Sequence, residues 1–301
     1  MLNNMKNFKS KIIFAVMLIM GISAFVGCEK GQIEAPKSEE NTKVLFESLK
    51  QFNLDFTPSK INSNSSPKGF WSSVGEVCKV AGADIIGAGT CVWATKELAA
   101  AAGCCTGGTG AAVVAGASAV IGRAGASYAA SGIKLKGSNP VGGLSNINLP
   151  VEYYYLSNVG VFHNSFINDV YYGNILETNW IRENYTSDST CVLGFVQNTQ
   201  WIEIKSLIYS SFVDYSANNY NYLQILNYFK DINYINSNIK NVLESYMEVY
   251  LTATSFEDID NISNFYISEV SNSSLTEIEK EALLCSFLVG ANSPHFWLQS
   301  E

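Results

Sequence analysis

The residues that come nearest to a reactive set are His163 and Asn164, in the segment NVGVFHNSFIND. With a thiol such as Cys191 they would supply the nucleophile, base and orienting amide of a thiol hydrolase. The segment CVLGF around Cys191 carries none of the local context that marks a nucleophilic cysteine. His163 also falls on an apolar stripe, Leu156, Val159, His163, Phe166 and Val170, whose steps of three and four line one helix face. That placement predicts a hydrogen-bonded core histidine. Asp84, set among apolar neighbours in VAGADIIGAG, joins His163 and Asn164 as the polar site the chain offers.

The other candidates read as structure. Glu257, Asp258 and Asp260 fall at a predicted helix start, where acids suit the dipole and solubility. The ending NSPHFW could present His295 and Trp297 to a ligand, but a chain end packed down by its aromatics is the expectation. A metal centre lacks its pattern, since there is no C-x-x-C pair and the two histidines are far apart. None of the glycine clusters leads into the Gly-Lys-Ser/Thr of a phosphate loop. The reading therefore assigns no catalytic residue, metal or cofactor.

The elements that must position these residues differ sharply in composition. Residues 70–135 read as an Ala/Gly-rich helical hairpin. Within them Leu98 to Gly122 carries no charge, and Gly103, Gly107, Gly110, Gly116 and Gly122 supply small residues for close helix packing, Gly103 and Gly107 at G-x-x-x-G spacing. Each glycine inside a helix costs roughly 0.5–1 kcal/mol relative to alanine, so this density needs a compensating close contact or a function. Gly107, Gly108 and Gly110 mark the expected turn. Residues 151–301 read as a C-terminal helical domain. Ser237 is read as one N-cap, Ser255 with Asp258 as a capping box, and Ser274 with Glu277 as another; Gly290 and Pro294 read as the stop of the last helix. Trp180 to Tyr220 is compatible with a few short strands. The fold class is mainly α, with the hairpin packed on the C-terminal domain.

Upstream, Lys6, Lys9 and Lys11 precede the uncharged run Ile12 to Gly27, which ends at Cys28. The run resembles a lipobox, with Gly27 before the cysteine and Phe25 where Leu is usual, so residues 1–27 read as a lipoprotein signal peptide and Cys28 as the acylated residue. Residues 28–69 read as a tether, a short helix with Val44, Leu45, Leu49 and Phe52 on one side, and a linker; the body is expected to begin near Trp71. Loss of 27 residues removes three lysines and no acid and moves the formal net charge from −8 to −11. Such an excess of acid disfavours nucleic acid as a partner. Six cysteines remain, Cys78, Cys91, Cys104, Cys105, Cys191 and Cys285, which allow 15 pairings or none.

Three patterns, W-x-x-V followed by VAGADIIGAG, then VGVFHN, then LTEIEKEALLCSFLVGANSPHFW, resemble elements of uncharacterised secreted lipoproteins of Bacteroidota type. The resemblance implies export, lipidation and a helical body, and transfers no catalytic residue. The expected function is a lipid-anchored cell-envelope or surface protein, in an outer membrane facing the periplasm or the surface, that binds an envelope partner or serves structurally. The alternative is a membrane-active, bacteriocin-like effector working through the glycine-zipper block; the thiol hydrolase is the third.

Overall fold

Small side chains let helix axes approach closely, and the stretches richest in them build the centre of this protein. The computed structural model describes residues 37–58, 75–105, 109–131, 145–218 and 221–297. Among the described residues the fold is mainly α, with 12 α-helices and no strand. Asn41 onward forms one compact unit. Three helices make its core: α2 (Gly75–Ala94), α4 (Thr109–Ser131) and α12 (Glu277–Trp297). Every residue from Val80 to Val92, from Val114 to Gly122 and from Ala282 to Trp297 is buried. A helix covered on all sides needs no apolar stripe, which is why α12 shows none over these turns.

The Ala/Gly region breaks at Thr95 into α2 and α3 (Lys96–Cys105), and α4 packs against both. Thr95 bonds back to the Cys91 carbonyl through its hydroxyl, at 2.7 Å, as well as through its N–H. The expected turn at Gly107 and Gly108 lies outside the described residues; the flanking helices end at Cys105 and begin at Thr109.

Around the core lie α5 (Val159–Phe166), α6 (Glu177–Asn184), α7 (Ser189–Val196), α8 (Thr199–Asn218), α9 (Tyr222–Asp231), α10 (Ser237–Tyr250) and α11 (Phe256–Ser271). The region compatible with strands, Trp180 to Tyr220, is instead helical as far as Asn218. Tyr- and Ile-rich composition suits strands in isolation, but here Trp180 on α6 and Trp201, Ile208 and Phe212 on α8, the last three at helical spacing, are all buried. A 3₁₀ turn, Val151–Leu156, leads into α5, and a π-helical turn, Ile167–Tyr172, follows it. The wider π turn carries Val170 off the stripe that buries Leu156, Val159, His163 and Phe166, leaving it half-buried.

The first described helix, α1 (Lys37–Asp55), turns Leu45 and Leu49 inward and stacks Phe52 on Phe265 at 3.9 Å between centroids. Its predicted apolar side is narrower than expected, because Val44 is 59% exposed. Asn53 bonds to the Ser245 carbonyl at 2.8 Å and accepts from Tyr266 at 2.8 Å, fastening α1 to α10 and α11.

Helix ends differ from expectation in three places. Asn236, not Ser237, caps α10 by accepting from the Ile239 N–H. At the start of α12 the capping carboxylate is Glu279, which accepts from the N–H and hydroxyl of Thr276 at 2.7 and 2.6 Å, in place of the Ser274 and Glu277 pair. Finally, α12 does not stop at Gly290 or Pro294 but runs to Trp297. Pro294 has no N–H to give the Gly290 carbonyl, and the Tyr250 hydroxyl donates to that carbonyl instead, at 2.9 Å.

Candidate functional site

The polar residues singled out in three separate segments meet inside the core. Asp84 comes from the middle of α2, His163 and Asn164 from α5, and Asn292, Ser293 and Trp297 from the last turns of α12. Asp84 Oδ2 accepts from the Ser293 hydroxyl in a short hydrogen bond and from Trp297 Nε1 at 3.0 Å. His163 Nε2 stands 3.5 Å from the same oxygen, and neither side chain of that pair has any solvent exposure. Asn164 Nδ2 donates to the Asn292 carbonyl at 3.0 Å, and Asn292 Nδ2 donates to the Leu288 carbonyl at 2.7 Å. An acid in a dry interior is costly unless donors surround it, and here two other helices supply them.

Close helix approach makes the convergence possible. A methyl group on Gly160 of α5 would lie 2.4 Å from Asn292 Nδ2 and 2.5 Å from the Leu288 carbonyl oxygen. On the far side, a methyl on Gly89 of α2 would lie 2.6 Å from Ser286 Oγ of α12. Glycines therefore set both crossings that bring α2 and α5 onto α12. Of the packing glycines read from sequence, Gly122 meets Trp201 and Cys91, with an added methyl 2.5 and 2.6 Å away. Gly116 faces Val159 at an ordinary 3.6 Å, and Gly110 is buried. Gly103 belongs to α3, but its surroundings, like Gly107 and Cys28, lie outside the described residues.

The remaining candidates take structural places. Asp258, expected at a solvated helix start, is buried and accepts from the Thr254 N–H and hydroxyl, both at 2.8 Å, while its own N–H is capped by Ser255 Oγ at 3.0 Å. Asp260 accepts from the Asn146 N–H at 3.0 Å, and burial pushes its carboxyl above the usual range. His295 stacks on Phe256 with centroids 4.0 Å apart and planes 8° from parallel. Burial holds its imidazole below the ordinary histidine value. Cys91 and Cys285 are buried and Cys191 is half-buried, while the side chains of Cys78, Cys104 and Cys105 lie outside the described residues.

The geometry around Asp84 suits a clamp better than a reaction centre. Ser293 and His163 both address the same carboxylate oxygen, so the serine is not set up for deprotonation by the histidine, as a nucleophile would require. Asp84 and His163 are both fully covered by the surrounding helices. A cleft of about 460 Å³ lies elsewhere, between α1 and α10, lined by Lys50, Asn53, Leu54, Ser245, Glu248 and Thr252. Among the described residues no group of three or more His, Cys, Asp or Glu could hold a metal ion, and no helix is long and apolar enough to cross a membrane. Sequence reasoning missed Asn292 and Ser293, because nothing in NSPHFW marks them as facing Asp84, 209 residues before Ser293. Comparison of the chain with protein-family models, with curated proteins and with solved structures gives no match.

Proposed function

We propose that the chain is an exported lipoprotein, held at the cell envelope by lipid on Cys28, whose helical body engages an envelope partner or serves structurally. The lipobox-like run before Cys28 and the resemblance to secreted lipoproteins support the location. The observation that carries a non-catalytic role is the complete burial of Asp84 and His163, two of the three polar residues the sequence offered as a site. The glycine-rich helices point the same way. A membrane-active role would require α2 and α4 to leave a core in which they are covered along their central turns.

Metabolic labelling with a radioactive fatty acid, followed by detergent partition of the full-length chain and of Cys28→Ser, tests the proposal. The wild type is expected to carry label and enter the detergent phase, and the variant to lose both. Turnover of an ester, peptide or glycan substrate that disappears in His163→Ala, with the fold retained, would overturn the non-catalytic role.

A further inference from the structure

The chain has only two histidines, His295 on the last turn of α12 and His163 on α5, beside the acid that this turn binds. His163 lies against Asp84 on the side where Ser293 and Trp297 bind that acid. His295 lies on the turn itself, two residues from each of them, and so points to the opposite side of the helix, onto Phe256 of α11. We propose that the turn Ser293–Trp297 is an acid-released clasp, with His295 as its trigger and the bonds to Asp84 as its latch.

Nε2 of His295 is buried and makes no hydrogen bond. Neutral imidazole tolerates that place through its stack on Phe256. Imidazolium carries a proton on both nitrogens and would bury a charged Nε2–H with no acceptor, which is strongly unfavourable. Nothing nearby offsets that charge. On α11 the acids near Phe256 are Glu257, which is exposed, Asp258, whose carboxylate is taken by Thr254, and Asp260, one turn further along the same face, whose carboxylate accepts from the Asn146 N–H. Asp84 of α2 and His163 of α5 lie on the other side of α12; from α10, Tyr250 is occupied with the Gly290 carbonyl; α4 contains no acidic residue. Burial alone depresses the His295 imidazole, with no opposing charge contributing.

The latch is suited to release. His163 Nε2, 3.5 Å from the same oxygen of Asp84, stays beside the acid when the Ser293 and Trp297 donors withdraw. Release exposes Phe296 and Trp297, both buried in the closed form, as a new apolar surface at the end of α12.

Amide hydrogen exchange of residues 295–297 in the full-length chain, corrected for intrinsic rates between pH 7.5 and 5, tests the clasp alongside an NMR titration of the His295 ring. Protection is expected to fall by up to about tenfold per pH unit, the limit for one coupled proton. His295→Phe keeps the stack without a titrating group and is expected to hold protection constant over the same range. PH-independent protection in the wild type, an equal fall in His295→Phe, or a His295 ring that titrates at or above the ordinary value would each overturn the proposal. The ring titration decides the matter even if the variant does not fold.

Discussion

Asp84 is the only charged residue between Val80 and Ala94, and its carboxylate is met by Ser293 and Trp297 of α12 and by His163 of α5. Replacing it with alanine would strand the Ser293 hydroxyl and the Trp297 indole N–H in the buried interior. Each stranded group costs about 1–3 kcal/mol, so Asp84→Ala is expected to lose about 3–5 kcal/mol, read as a lower urea midpoint at an unchanged slope. Asp84→Asn retains one acceptor oxygen and should lose less than half of that. An alanine variant as stable as the wild type would show that the cluster contributes nothing to holding α12 in place.

Among the elements, the crossings of α12 with α2 and α5 depend on the absence of side chains at Gly89 and Gly160. Gly160→Ala drives a methyl into backbone as well as side-chain atoms of α12 and is expected to cost about 1–3 kcal/mol. Gly194, on the exposed side of α7 with nothing within 4 Å of an added methyl, should gain about 0.5–1 kcal/mol when changed to alanine. Opposite signs in chemical denaturation would separate packing from propensity; two changes of one sign would not fit these crossings. The same contrast explains what could be read from the sequence. Small-residue density announced close helix packing, and the stripe through His163 announced that it faces the core. The partner of each glycine could not be read, because Gly116 and Gly122 look alike in sequence yet one meets an ordinary contact and the other a tryptophan. The run of α12 through Pro294 was hidden for a related reason. The Tyr250 hydroxyl that satisfies the Gly290 carbonyl lies 40 residues away.

For the molecule as a whole, the titrating groups confine maximal stability to a window. Glu279 joins the starts of α10 and α12; burial by itself would raise its carboxyl, but bonds from Thr276, Asn236 and Asn238 outweigh that and hold it below its ordinary 4.5. A depressed carboxyl stabilises the fold above pH 4.5 and loses that contribution as pH falls through the folded value. Asp260 and Glu281, raised by burial, oppose this on the acid side, so the acid limb should be shallow near pH 4.5 and steepen below it. The depressed His295 adds an earlier, smaller loss that begins below pH 6.5. At the alkaline end burial raises Tyr153, Tyr185, Tyr246 and Tyr266 above 10, with neighbouring acids adding to it at Tyr153. A raised phenol leaves the fold at full stability below pH 10 and withdraws support as pH climbs past 10, because the unfolded chain ionises first. Four tyrosines acting together make that limb the steeper one. Urea midpoints measured from pH 4 to pH 11 should therefore trace a plateau between about 6.5 and 10 and drop sharply above it. Glu279→Gln should flatten only the part of the acid limb below 4.5. Midpoints that stay level to pH 11 would mean that these phenols ionise in place, and that the tyrosine-lined packing around α10, α11 and α12 is open to water.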